Sequence, residues 1–231
     1  KSKLFRRNDA PGPGNVTFDK DGTTLIDGKP FLPIGIYAGF DGSKDTEALK
    51  RIADAGFNCV LSVGTASDCY FAGEKKTMKA TLEASLDELA KYNLKYIFAL
   101  KHQINAPQRG FRLENFDGIT GLENVNREII NTVKNHPALL AWYVSDENPI
   151  SEMAAIANLR EQLARLDPKH PTVTLTEKVK DMAHFAGTGD IFAHDAYPIG
   201  LNSFKTGPDQ TMENCQKFLL AANELRLPVW W

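Results

Sequence analysis

The fold of this chain is decided by LLAWYVSDENP, residues 139–149. The apolar run 139–144 is typical of a strand that is buried on both faces, as strands of a parallel sheet are. It leads directly into two adjacent carboxylates, Asp146 and Glu147. Because parallel strands bring their carboxyl ends to one edge of the sheet, polar side chains gather there. The segment therefore predicts a parallel strand that ends in a polar site.

Outward from this segment, short apolar runs alternate with helical patterns along the whole chain. Strands are predicted at residues 31–37, 59–63, 96–100, 139–144, 173–175, 191–193 and 228–231. Between them, apolar residues recur at helical spacing within 45–55, 82–90, 125–133, 153–166, 179–186 and 212–222. Turn signals before the first run predict a β-hairpin over residues 16–30. The alternation of strands and helices predicts an α/β fold with a parallel sheet.

Two architectures fit this alternation, a (β/α)8 TIM barrel and an open doubly wound sheet. No GxGxxG pattern follows any predicted strand, which weakens the nucleotide-binding form of the open sheet. Polar residues at the strand ends favour the barrel. The prediction is therefore a (β/α)8 barrel with an N-terminal β-hairpin, truncated after strand seven.

The predicted domains are an N-terminal extension, residues 1–15, and a barrel catalytic domain, residues 16–231, that is incomplete at its C-terminus. Three explanations for seven predicted strands stay open. The chain is a truncated or proteolysed product, a second chain completes the barrel, or the sheet closes differently. The apolar end Val229-Trp230-Trp231 favours truncation, whereas completion by another copy would make the protein a homo-oligomer.

Composition excludes several classes of protein. The chain has 231 residues, 42% hydrophobic and 24% charged, with a net charge of −2, which is typical of a globular domain. It has no long basic stretch and no apolar run that could span a membrane, so neither nucleic acid nor a membrane is an expected partner. Its three cysteines form no CxxC pair, and no HExxH metal motif occurs. Since the chain carries no leader, we expect either a secreted or periplasmic protein that has lost one, or a cytoplasmic protein.

The candidate site residues are those that follow the predicted strands, because these strand ends share one face of a barrel. They are Tyr37, Lys101, His102, Asp146, Glu147, Asp195, Tyr197 and Trp231. Alternation sends Asp146 and Glu147 in different directions, so the two carboxyls need not share a role. A carboxyl at a partly buried strand end can serve as a general acid, and we assign this role to Glu147. Capping of the next helix is the alternative, and for Asp146 a supporting or capping role is preferred.

The WYVSDENP segment resembles the fourth strand of the clan GH-A glycoside hydrolases. Three further segments are similar to families 2 and 5 of these enzymes or their bacterial relatives, in the same order along the chain. They are DGKPFLPIGIY at 27–37, GFNCV at 56–60 and HDAYP at 194–198. The resemblance implies a (β/α)8 retaining glycosidase that cleaves a β-linked glycoside or oligosaccharide and needs no metal or other cofactor.

Carried over residue by residue, the resemblance implies that Glu147 is the general acid/base. It also implies that Tyr197 is the aromatic residue that bonds the nucleophile, and that Trp230 and Trp231 enter the strand bearing that nucleophile. Asp146 departs from the pattern, because the clan usually has an Asn there that contacts the sugar 2-hydroxyl. Tyr37, Lys101, His102, Asp195 and Trp231 are the remaining candidates for sugar binding.

Other interpretations of these residues stay open. Asp195 could pair with Glu147 at the longer separation of an inverting or purely binding site. It could equally be a structural partner of Lys178. The protein could be a carbohydrate-binding barrel remnant that lacks the nucleophile and has no turnover. It could also be a lyase or aldolase that forms a Schiff base on Lys101 or Lys178, which requires a lysine with a lowered pKa.

Overall fold

A computed structural model of the chain describes residues 14–38, 47–62, 70–105, 112–176, 178–195 and 208–230. These residues form a mixed α/β structure whose main parallel sheet curls into half a barrel. In chain order the strands are β1 (Val16–Phe18), β2 (Thr24–Ile26), β3 (Lys29–Pro30), β4 (Gly35–Ala38), β5 (Cys59–Ser62), β6 (Lys95–Ala99), β7 (Asn115–Phe116), β8 (Ile119–Thr120), β9 (Leu139–Asp146), β10 (Thr172–Leu175), β11 (Ile191–Ala193) and β12 (Val229–Trp230).

Helices alternate with the strands of the main sheet, as the sequence predicts. In the described residues they are α1 (Ala48–Asp54), α2 (Met78–Lys91), α3 (Leu122–Val133), α4 (Met153–Leu166), α5 (Met182–Phe185) and α6 (Pro208–Glu224). Short 3₁₀ turns at Ile150–Glu152 and Val179–Asp181 lead into α4 and α5. None of the helices within the described residues is long and apolar enough to cross a bilayer.

The main sheet follows the order β12-β11-β10-β9-β6-β5-β4, in which every neighbouring pair is parallel. Its convex face packs against the helices, with Trp142, Phe98 and Leu86 fully buried between the two layers. Its concave face forms a second core around Ala99, Tyr143 and other buried residues. Burial on both faces explains why these strands are nearly continuous apolar runs.

The N-terminal hairpin covers the amino end of the concave face. β1 and β2 pair antiparallel, as the sequence predicts, and β3 adds a third strand. Val16 is fully buried in the inner core, and its N–H donates to the Lys169 carbonyl before β10. The indole N–H of Trp230 donates to Thr24 of the hairpin at 3.0 Å. Trp230, which the clan resemblance places in the strand that bears the nucleophile, is thus bonded to the hairpin at the amino end of the sheet.

The first strand of the sheet differs from its prediction. The sequence suggests a buried strand over residues 31–37, but β4 begins only at Gly35, and Leu32 is 73% exposed. Pro33 cannot donate a ladder hydrogen bond, which keeps this segment out of the sheet. The Asn58 side chain binds it instead, since it accepts from the Ile34 N–H at 2.8 Å and donates to the Leu32 carbonyl at 2.8 Å.

A short hairpin, β7–β8, was not predicted from the sequence. Its turn residues Asp117 and Gly118 both have positive φ, 51° and 94°. Such a turn is the one that an Asp-Gly pair favours between two strands. The Asp117 carboxylate accepts from the backbone N–H groups of Met78 and Lys79 at 2.7 and 2.9 Å. The hairpin therefore supplies acceptors for N–H groups at the start of α2, which have no partner within the helix.

Candidate active site

The candidate site lies at the carboxyl ends of the main-sheet strands, which we call the mouth. Tyr37 lies near the end of β4, Lys101 follows β6, Asp146 ends β9 and Asp195 follows β11. The parallel sheet brings these ends to one edge although the residues are far apart in the chain.

Three of the sequence candidates are in direct contact at the mouth. The Lys101 ammonium forms an ion pair with Asp146 and donates a hydrogen bond to the Tyr37 hydroxyl at 3.0 Å. Lys101 is only 4% exposed, whereas Tyr37 is 49% exposed and forms the outer side of the group. A buried ammonium needs such partners, because burial of an unpaired charge is costly.

A fourth residue, Tyr143, completes this group, which we call the Lys101 cluster. The Tyr143 hydroxyl donates to Oδ1 of Asp146 at 2.8 Å, and the Lys101 ammonium lies 5.5 Å from the centre of the Tyr143 ring. The ammonium lies at the same distance, 5.5 Å, from the Tyr37 ring. Both distances are within the range of a cation–π attraction, so the two rings add to the stabilisation of the charge.

A β-bulge explains how Tyr143 and Asp146 reach the same face. In the pairing of β9 with β10, Val173 lies opposite Tyr143 but Thr174 lies opposite Ser145, so Val144 is an extra residue. Strict alternation would send Tyr143 and Asp146 to opposite faces of the sheet. The extra residue turns Asp146 onto the concave face, above Tyr143. Asp146 therefore does not cap the following helix, the alternative left open by the sequence; α4 and the 3₁₀ turn before it have no side-chain cap.

The pKa values in the cluster follow from these contacts. Burial tends to lower the pKa of Lys101, but the hydrogen bonds to Asp146 and Tyr37 and the Asp146 charge outweigh it, so the pKa is raised. Burial, followed by the Asp146 charge, raises the pKa of Tyr143 well above its ordinary value. At neutral pH, the cluster therefore contains an ammonium and a neutral phenol. A Schiff-base lysine needs the opposite, a lowered pKa, which argues against that role for Lys101.

Glu147 lies where the chain leaves the sheet, and its backbone is in the left-handed region with φ 51°. Its N–H donates to the Leu175 carbonyl at 3.3 Å, and its side chain is exposed. A non-glycine residue with this backbone conformation is uncommon and is concentrated at functional sites, where the surrounding structure holds it in place.

Asn148 holds the turn around Glu147 and is 6% exposed. Its Oδ1 accepts from the Ser145 hydroxyl at 3.0 Å and from the Asp146 N–H at 2.8 Å. Its amide nitrogen donates to the Glu152 carboxylate on the far side of the turn. One buried amide thus joins the end of β9 to the start of the next helical segment and stabilises the backbone conformation of Glu147.

Asp195 is half-buried beyond β11, and its charge contributes to the raised pKa of Tyr143. The preceding residue, His194, is buried and stacks on Phe218 with ring centres 4.2 Å apart. Burial lowers the pKa of His194, so this imidazole is neutral at pH 7. Asp195 is therefore close to the cluster without a cationic histidine beside it.

The remaining candidates are placed as follows. His102 is half-buried in the turn that follows β6, next to Lys101. Tyr197 and Trp231 lie outside the described residues. Trp142, an aromatic residue within the apolar run 139–144, is fully buried on the convex face and donates to Asp167 at 2.8 Å. Within the described residues, no group of three or more His, Cys, Asp or Glu side chains is arranged to hold a metal ion.

The sequence assigned no role in the site to Tyr143 or Asn148. Tyr143 lies inside an apolar run and is predicted to belong to the core, and only the bulge at Val144 connects it to Asp146. Asn148 did carry a signal. An Asn between two carboxylates and Pro149 is typical of a turn, because its side chain readily bonds nearby backbone groups.

Comparison with known proteins finds no matching family model and no curated protein with significant sequence similarity. Solved structures do share the fold. The β-glucuronidase of Bacteroides uniformis matches with a TM-score of 0.62 at 15% identity, over 93% of this chain and 26% of that one. The β-D-glucuronidase of Dictyoglomus thermophilum matches with a TM-score of 0.60 at 16% identity, over 93% of this chain and 38% of that one.

A glycoside hydrolase family 5 mannosidase from Rhizomucor miehei matches with a TM-score of 0.62 at 13% identity, over 94% of this chain and 72% of that one. The chain spans about a quarter of the length of the Bacteroides glucuronidase. Identities this low show a shared fold and nothing finer. The chain therefore has a glycoside hydrolase-like fold, which is the coarser part of what its sequence motifs implied.

Proposed function

We propose that this protein is a (β/α)8 glycoside hydrolase that cleaves a β-linked glycoside or oligosaccharide, with Glu147 as the general acid/base. The observation that supports it is the position of Glu147. This exposed residue has a strained backbone, directly follows a central strand of a glycoside hydrolase-like fold and is adjacent in the chain to Asp146 of the Lys101 cluster.

The chemistry requires two functions from the mouth. One carboxylic acid protonates the leaving oxygen, and Glu147 supplies this proton and later takes one from water. The sugar ring must also be oriented. The cluster offers an exposed Tyr37 face for stacking, with Lys101 and the Tyr37 hydroxyl as donors and Asp146 as an acceptor for sugar hydroxyls.

The stereochemical course is part of the proposal. A retaining reaction needs a nucleophilic carboxylate about 5–5.5 Å from the acid, and an inverting one needs a base about 6.5–9.5 Å away. The clan resemblance favours retention, with the nucleophile at the end of the seventh strand and outside the described residues. Asp195 is the candidate base for inversion. Proton NMR of the first-formed sugar anomer distinguishes the two courses.

The test is hydrolysis of a panel of aryl β-glycosides by the protein and by Glu147→Gln. Loss of general acid catalysis is expected to lower kcat by about 10²–10⁴-fold. Glu161→Gln, an exposed change on α4, is the matched control and should retain the activity. Folded protein without turnover on any glycoside would refute hydrolysis. Sugar binding without turnover would then favour the carbohydrate-binding alternative.

A further inference from the structure

The Lys101 ammonium is a buried charge placed where a sugar would bind. It is the cation of the Lys101 cluster, with Asp146 as its counter-ion and the Tyr37 hydroxyl as a second acceptor. By itself, such a cation would attract an anionic ligand, and it would be worth more than a surface charge because water is excluded around it. How strongly Lys101 attracts an anionic ligand depends on how completely the neighbouring carboxylates neutralise its charge.

Asp146 neutralises the Lys101 ammonium directly. In the described residues, the carboxyl and ammonium groups at a mouth-strand end or within three residues beyond it are Asp146, Glu147, Asp195, Lys101 and Lys178. Lys178 is exposed at the rim, and the buried His194 has a lowered pKa and is neutral at pH 7. In its proposed role of general acid Glu147 carries a proton, so the carboxylates of Asp146 and Asp195 balance the two ammonium groups, and the buried ammonium is already in contact with one of these carboxylates.

We propose that Asp146 is a specificity-determining residue, which neutralises the Lys101 ammonium and so makes the mouth select glycosides of neutral sugars over glycosides of uronic acids. The inference rests on the proposed function and deepens it. A sugar hydroxyl can accept from Lys101 or Tyr37 and donate to Asp146, so a neutral sugar satisfies both members of the ion pair. A substrate carboxylate can only accept, and it is repelled by Asp146 and Asp195.

The Lys101–Asp146 ion pair also indicates how the selectivity between neutral sugars and uronic acids can be changed. Asp146→Asn keeps the size of the side chain but removes its negative charge, so Lys101 loses its counter-ion. A substrate carboxylate can then take the place of the missing charge. In the double variant Lys101→Met/Asp146→Asn both charges are absent, so the preference should return toward neutral sugars. The double variant also avoids a buried unpaired ammonium, which could prevent Asp146→Asn from folding.

The experiment measures binding, so it does not depend on turnover. Phenyl 1-thio-β-D-glucoside and phenyl 1-thio-β-D-glucuronide resist hydrolysis and differ only at C6. Their affinities are measured by calorimetry for the full chain and its variants. The full chain should bind the neutral ligand more tightly by about tenfold or more, and Asp146→Asn should move this ratio toward the glucuronide by a similar factor. Added salt should reduce the shift.

Asp195→Asn is the control for net charge, since it removes a carboxylate from the same mouth. It should shift the ratio less than Asp146→Asn does. Tighter binding of the glucuronide by the full chain, binding of neither ligand, or equal shifts in the two Asn variants would overturn the assignment of Asp146. The proposed function fails separately, if the hydrolysis panel gives no turnover while the neutral thioglycoside still binds.

Discussion

The Tyr143 hydroxyl donates to Asp146 Oδ1 at 2.8 Å, although the two residues are three positions apart in a strand whose side chains alternate between faces. The bulge at Val144 allows this hydrogen bond, because it puts both side chains on the concave face. A buried phenol thereby fixes the carboxylate that binds Lys101. The geometry of the site thus depends on one extra residue in β9.

Tyr143→Phe tests this bond with little change in packing. The variant keeps the ring but removes the donor to Asp146, so we expect the free energy of unfolding to fall by about 1–2 kcal/mol, near the lower range for a hydrogen bond to a charged group. Urea denaturation at pH 7 measures it. Tyr92→Phe, at the half-buried residue that follows α2, removes a hydroxyl outside the cluster; it is the control and should change little. Equal stability of Tyr143→Phe and the parent protein would mean that the bond adds nothing to the fold.

Asn148→Ala tests the turn around Glu147. The change leaves the buried Ser145 hydroxyl and the Asp146 N–H without their acceptor, so we expect a loss of about 1–3 kcal/mol in the free energy of unfolding. Because Glu147 is then less well oriented, glycoside hydrolysis should fall by about 10–100-fold. Denaturation and kcat are measured on the same preparation.

Asn131→Ala is the matched control for Asn148→Ala, because the Asn131 side chain is exposed on α3. Its amide oxygen accepts an exposed hydrogen bond from the Lys134 ammonium, which water can replace. The control variant should leave both quantities nearly unchanged. Full hydrolytic activity in Asn148→Ala would show that the turn does not position Glu147.

The sequence predicts the order of strands and helices well, because strands buried on both faces must be apolar throughout and helices must repeat every three or four residues. It also predicts that Lys101 and Asp146 share one edge, since parallel strands end together. It does not predict that Tyr143 joins them. A shift of one residue in register reverses every face that follows, and no local residue pattern in 139–149 marks the bulge.

The segment before β4 is a second place where the sequence-based prediction fails, because the predicted strand begins too early. Leu32 and Ile34 belong to an apolar run that predicts a buried strand, yet both are exposed. Whether such a run joins the sheet depends on the partner available to each backbone group. Here the partner is the Asn58 side chain, which lies 24 residues from Ile34 in the chain. Apolar patterning does not contain this information.

Asp167→Ala tests the structural network behind β9. Asp167 Oδ2 bonds the Trp142 indole and His170 Nδ1, each at 2.8 Å, and the aspartate is 3% exposed. Its loss leaves buried polar groups unsatisfied, so we expect the free energy of unfolding to fall by about 3 kcal/mol or more. Asp54→Ala, which breaks an exposed ion pair with Lys50, is the control and should change stability little. A similar urea midpoint for the two variants would contradict a structural role for the network.

Cys59 gives a prediction about alkaline pH. Burial raises the pKa of this thiol from 9.0 to about 12, so the native protein keeps the proton over a range in which the unfolded chain loses it. Its contribution to stability is complete below pH 9 and falls as the pH rises from 9 to 12, by about 1.4 kcal/mol per pH unit. Cys59→Ala removes this titration. The free energy of unfolding should therefore fall less steeply over pH 9–11 in the variant than in the parent protein, whatever their difference at pH 7. Parallel pH profiles in urea denaturation would show that the thiol ionises as easily in the native protein as in the unfolded chain.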